Sequence, residues 1–158
     1  MSGFEVKAYS IEEKISELKD GQAVIVSDGS YDEATKRYGY GVIFVRNEND
    51  KVELSGSEND SKFVESRNIP GEVEGVLKGL EKCKDENYKE VFIFYDYTGL
   101  AEWANGSWKT NKPISKYYVK KLENYRDIKI HFCKVKAHSG VKYNERADKI
   151  AKASLKGY

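Results

Sequence analysis

Two short runs, Ala23-Val24-Ile25-Val26 and Val91-Phe92-Ile93-Phe94-Tyr95, show no polar alternation, and each leads into an aspartate, Asp28 after a single serine and Asp96 directly. An apolar run of that length without alternation fits a strand covered on both faces, the situation of the inner strands of an α/β sheet. Functional groups in such sheets collect at the strand ends. On this reading the first strand stops at Asp28 and Gly29 lets the chain turn. One such Asp is equally at home as a turn former or a helix cap. Its repetition at Asp96 is what carries information.

The chain has 158 residues, 39% of them hydrophobic, enough for one domain with a core that needs no metal or disulfide staple. Cys83 and Cys133 are far apart, and no apolar run is long enough for a signal peptide or a membrane span, so the expectation is a soluble, cytoplasmic protein. The net charge of +1 gives no global argument for a nucleic-acid partner, but the charge is unevenly spread. Residues 105–122 hold five lysines and no acid, whereas acids dominate 48–90.

Residues 1–21 read as a short helical extension, because Ser10-Ile11-Glu12-Glu13 has the form of a capping box and Ile15 and Leu18 follow at helical spacing. After Asp28, Tyr40–Val45 and Lys51–Ser57 form a predicted hairpin joined by 46–50, so the sheet begins antiparallel. Gly39 and Gly41 mark either a bulge, the favoured reading, or a close approach of ligand to backbone. Pro70-Gly71 opens a helix whose Val73, Val76, Leu77 and Leu80 make one apolar stripe, with Glu72 and Glu74 on its two flanks. Periodicity does not choose between these two acids. Residues 99–108 read as a short helix, Asn105-Gly106-Ser107 as a turn, 112–125 as a longer helix, and 128–135 as the last strand. A final helix buries Ala147, Ile150, Ala151 and Leu155 and carries Asp148 beside the stripe, with Glu145/Lys149 and Asp148/Lys152 available as ion pairs worth a few tenths of a kcal/mol.

This order of elements brings Asp28 and Asp96 to one edge of neighbouring parallel strands, within reach of Glu72 and Asp148. Carboxylates gathered without His or Cys partners repel one another unless hard cations are present, and oxygen-only ligation suits Mg²⁺ or Mn²⁺. Phosphodiester hydrolysis is the natural chemistry, since two such ions clamp the attacking water and the leaving oxygen and offset the charge of an anionic substrate.

Taken together, these residues resemble a type 1 ribonuclease H over nearly everything from Ala23 onward. The resemblance is carried by Asp28-Gly29-Ser30, by Asn68-Ile69-Pro70-Gly71-Glu72, by Asp96 at a strand end, and by His138 followed by Asn144-Glu145-Arg146-Ala147-Asp148. It implies a ribonuclease H-like α/β fold, a five-stranded mixed sheet with helices on both faces, with residues 22–158 as the catalytic domain. It selects Glu72 over Glu74 and implies that Asp28, Glu72, Asp96 and Asp148 are catalytic acids holding two Mg²⁺ ions, with Mn²⁺ also supporting activity. His138 would assist proton transfer or product release, and Gly29, Ser30, Asn68 and Asn144 would contact substrate. The implied reaction is endonucleolytic hydrolysis of the RNA strand of an RNA/DNA hybrid, leaving 3′-hydroxyl and 5′-phosphate ends, by a monomer without an obligate protein partner and away from membranes.

The chain departs from the family where Asp96 is followed by Tyr97-Thr98-Gly99 instead of Ser and a polar residue, which changes the expected ribose contacts. The segment after Trp103 is shorter than the basic protrusion of some relatives, and residues 1–21 are too few for the hybrid-binding module that often precedes the domain. Trp103, Trp108, Tyr117 and Tyr118 are interleaved with Lys109, Lys112, Lys116, Lys120 and Lys121, and of these Trp108, Lys109 and Lys112 are the expected substrate contacts. Two other functions are compatible with an acidic cluster on this fold, a DNA-cutting nuclease and a catalytically silent nucleic-acid-binding module. The complete order Asp, Glu, Asp, His, Asp argues against the first, and the four intact acids argue against the second.

Overall fold

The computed structural model describes residues 10–135 and 141–156. Its elements are α1 (Ile11–Ser16), β1 (Gln22–Asp32), β2 (Arg37–Asn47), β3 (Asp50–Glu58), α2 (Ile69–Asp85), β4 (Glu90–Tyr95), α3 (Gly99–Ala104), α4 (Pro113–Leu122), β5 (Lys129–Lys134) and α5 (Val141–Ala153). The strands form one mixed sheet in the order β3-β2-β1-β4-β5, with β1, β2 and β3 antiparallel and β1, β4 and β5 parallel.

Ala23 to Val26 are completely buried because β1 is the middle strand and both its faces are covered. Ala23 and Ile25 join the core shared with α2, α3 and α4, while Val24 and Val26 join the one shared with α1 and α5. Ile11 and Ile15 pack into the second core, and Ser10 caps α1 by accepting from the Glu13 N–H at 3.3 Å. Cys83 and Cys133 are free thiols on opposite sides of the sheet. Among the described residues no helix is long and apolar enough to cross a membrane.

Three expectations need correction. β1 does not end at Asp28; it runs to Asp32, pairing antiparallel with β2 beyond the point where its parallel partner stops, at Val26 opposite Phe94. Gly29 therefore lies within a strand and makes no turn. Its lack of a side chain admits the start of α2, since a Cβ there would lie 2.5 Å from the Glu72 amide nitrogen and 2.9 Å from the Asn68 carbonyl oxygen. Gly39 and Gly41 mark neither a bulge nor a ligand. They face α5, and a Cβ on Gly41 would sit 2.6 Å from the Ala151 nitrogen and 2.9 Å from Ile150 Cβ. The register irregularity falls later, between Val45 and Asn47. Leu155 lies beyond the end of α5 and is only half-buried.

Candidate active site

Asp28 stands where β1 outruns β4, so one side of the strand is open at that point. α2 begins beside it: Pro70 occupies the first turn, where no amide hydrogen is needed, and the Glu72 N–H donates to the Asn68 carbonyl at 3.1 Å. The close packing of Gly29 and Gly71 brings Glu72 against Asp28, and the two carboxyl groups share a hydrogen bond. The Gly29 N–H donates to Asp28 Oδ1 at 2.9 Å. Asp96 follows the last residue of β4 and is exposed. Asp148 lies in the middle of α5 and is held by Lys152 at 2.9 Å.

Burial pushes Asp28 up to about 6, and the charges of Asp148 and Asp96 add to that rise, while the bonds from Glu72 and from the Gly29 amide oppose it. Glu72 is pushed well above the carboxylate range, first by burial and then by Asp28. A hydrogen bond between two carboxyls needs a proton, which the pair shares. Its Oε2 is buried without any hydrogen-bond partner.

Among the described residues no three carboxylate, imidazole or thiol groups lie close enough together to hold a metal as they stand. The donor chemistry nevertheless fits a hard divalent cation. The cluster offers oxygen alone, the orphaned Glu72 Oε2 lacks any ligand of its own, and burial, with the charges of neighbouring acids added, raises Asp28 and Glu72. Turning Asp148 away from Lys152 would add a further oxygen to the pair.

The remaining candidates divide. Ser30 is half-buried on β1 just past Gly29, Asn68 is exposed ahead of α2, and Asn144 is half-buried on α5 one turn before Asp148. His138 lies outside the described residues. Glu74 is kept apart from the acid cluster on the other flank of α2; burial raises its pKa and a hydrogen bond with the Tyr117 hydroxyl lowers it. Of the interleaved aromatics, Trp103 and Tyr118 belong to the core, and the Tyr118 hydroxyl donates to the Leu100 carbonyl at 2.7 Å. Tyr117 packs half-buried on Phe63. Trp108, 42% exposed, is the large hydrophobic side chain that faces solvent among the described residues, and it rests edge-on against Trp103 and Tyr97. Lys109 and Lys112 follow it in the chain, both exposed.

Sequence pattern did not single out Lys134. It ends β5 in register with Tyr95, one strand over from Asp96, and its ammonium donates to the Thr98 hydroxyl. The available signal was its place at the end of a strand parallel to β4.

The sequence profile of the RNase H family matches residues 20–156. A ribonuclease H of Buchnera aphidicola subsp. Schizaphis graminum is 33% identical over 141 residues, covering 81% of this chain and 82% of that protein. RNase H1 from the halophilic archaeon Halobacterium salinarum superposes with a TM-score of 0.67 at 18% identity, over 85% of this chain and 97% of that one. LC11-RNase H1, solved in complex with an RNA/DNA hybrid, superposes with a TM-score of 0.65 at 17% identity, over 84% and 99%.

Proposed function

The chain belongs to the ribonuclease H family, a family of enzymes, and from that premise we propose that it hydrolyses the RNA strand of RNA/DNA hybrids, leaving 3′-hydroxyl and 5′-phosphate ends. The observation that carries the reading is the carboxyl pair of half-buried Asp28 and buried Glu72, with an orphaned oxygen on Glu72, within the influence of the charges of Asp96 and Asp148. A related protein of the same fold has been captured with such a hybrid. We assign residues 22–158 to the catalytic unit and 1–21 to an extension, and the two free thiols suit the reducing cytoplasm.

Asp28, Glu72, Asp96 and Asp148 would hold Mg²⁺ or Mn²⁺. Bound there, a pair of such ions stabilises charge on the attacking and leaving oxygens of an in-line displacement. The chain's own residues do the rest. Asp28 and Glu72 release their shared proton and present carboxylate oxygens. Gly29 and Gly71 keep α2 against β1, so that Glu72 stays walled off from bulk water. Asp148 exchanges Lys152 for the centre of the cluster. His138, which precedes α5 in the chain, would take up or relay the proton at its imidazole or aid product release. Gly29, Ser30, Asn68 and Asn144 would contact the substrate, and Trp108 with Lys109 and Lys112 would hold the DNA strand. The enzyme acts as a monomer with no obligate protein partner.

Incubating the protein with matched RNA/DNA, DNA/DNA and RNA/RNA duplexes in Mg²⁺, Mn²⁺ or EDTA tests this. Cleavage confined to the RNA of the hybrid and abolished by EDTA is expected; cutting of duplex DNA, or binding without turnover, would overturn it.

A further inference from the structure

On the far side of α5 lies a groove of about 540 Å³ between that helix and the β2–β3 hairpin. α5 turns Ala147, Ile150 and Ala151 to the sheet. At about 100° per residue, Asp148 and Lys152 then fall on one flank and Lys142, Arg146 and Lys149, spaced i, i+4 and i+7, on the other. That second flank faces the groove, together with Tyr143 and, from the hairpin, Lys51 and the apolar floor residue Ile43. The Lys51 ammonium lies 5.4 Å from the centre of the Tyr143 ring. Arg146 is committed to Glu53 by two bonds of 2.6 and 2.7 Å. Among the described residues, Lys142 and Lys149 have no ion-pair partner, and Glu145 is the one acid of the groove outside the Arg146 pair.

We propose that this groove binds single-stranded nucleic acid, with backbone phosphates on Lys142, Lys149 and Lys51 and a base against the Tyr143 ring. Cations spaced along a channel beside an aromatic face are what a single strand needs, because every base has a π face and every nucleotide a charge. A duplex does not suit the place. The groove and the acid cluster are separated by the width of one helix, roughly 10 Å, and duplex DNA, stiff over about 50 nm, does not turn around so narrow a post. A flexible single-stranded flank of the nucleic acid held at the acids does. Its tether raises its effective concentration, so a few contacts suffice.

The experiment is independent of hybrid cleavage. Binding of a fluorescent oligothymidylate of about 12 nucleotides is followed by anisotropy in EDTA between about 50 and 200 mM salt. Relative to the parent, Lys142→Ala/Lys149→Ala is expected to lower the magnitude of the log–log salt slope by about 1.4, at about 0.7 per single-strand contact. Tyr143→Leu, which keeps an apolar side chain against the second core, is expected to weaken binding roughly tenfold. Melting curves confirm that each variant is folded. Lys142→Ala/Lys149→Ala should cut a blunt hybrid at the parent's rate, so a parent that cuts no hybrid would refute the proposed function while the binding result stands. An unchanged slope, a loss carried instead by Lys109→Ala/Lys112→Ala, or equal competition from an oligoglutamate of the same length would overturn the proposal, the last by reassigning the groove to an acidic protein.

Discussion

Glu72 is nearly inaccessible, with one oxygen unpartnered and the other tied to Asp28. A group so placed costs the apo protein stability, since an unmet buried polar atom is worth about 1–3 kcal/mol. Glu72→Gln keeps the shape, and its amide donates to Asp28 without the proton that two carboxyls have to share. We predict that this variant melts a few degrees higher than the parent in EDTA, at about 2–4 °C per kcal/mol, while hybrid cleavage in Mg²⁺ disappears. Asp28→Asn and Asp96→Asn should also be inactive. Measurable turnover by Asp96→Asn, or a lower melting point for Glu72→Gln, would refute the assignment of these acids.

Elements meet closely at a few points, and each is a place to test how the scaffold holds the site. The first is Gly41, where β2 touches the backbone of α5. Gly41→Ala forces α5 outward and carries Asp148 with it, so both stability and turnover should fall. Overpacking of this kind costs about 1–3 kcal/mol. An unaltered melting temperature and rate would mean that α5 slides freely. The second is the clamp between the end of β2 and the C-terminus of α2, where Arg46 donates two bonds of 2.7 Å to Glu86 and Lys82 pairs with the same carboxylate at 2.8 Å. Arg46 first, then Lys82, holds Glu86 down at about 2 against an ordinary 4.5. The unfolded chain takes up that proton near pH 4.5 and the folded one only near 2, so the clamp's contribution is complete above about pH 4.5 and is lost as the pH falls through 2. The stability gap between parent and Glu86→Gln should therefore narrow between pH 5 and 2 in urea titrations. A gap that stays constant over that range would count against the clamp.

At the scale of the whole molecule, a net charge of +1 hides an uneven distribution, with an acid cluster where β1 outruns β4 and five lysines without an acid in 105–122, the stretch that holds the exposed Trp108. If Lys109 and Lys112 grip phosphate, Lys109→Ala/Lys112→Ala should weaken hybrid binding and reduce the salt slope by about 0.9 per contact, duplex DNA being the reference. Measured in Ca²⁺ to suppress turnover, the effect should appear in affinity, with kcat in Mg²⁺ retained. An identical slope would place the substrate elsewhere.

Much of this was legible in the chain itself. Unalternated runs at Ala23–Val26 and Val91–Tyr95 announced inner strands, and the stripe of Val73, Val76, Leu77 and Leu80 announced α2, because burial on two faces or on one writes its own period into the residues. The resemblance at Asn68–Glu72 and Asn144–Asp148 singles out Glu72 and Asp148 from the sequence, and α2 does bring Glu72 against Asp28. What the residues could not state was contact across the fold. That Asp28 stands in mid-strand follows from the pairing of β1 with β2, and its open side from where β4 stops; that Gly29 and Gly41 are spaces for α2 and α5 follows from elements about 40 and 110 residues away. Whether Trp103 or Trp108 faces solvent depends on how α3 and α4 pack, and the spacing of the two rings is silent about that. Local pattern reports how much of a side chain is buried. Only the tertiary structure decides against what.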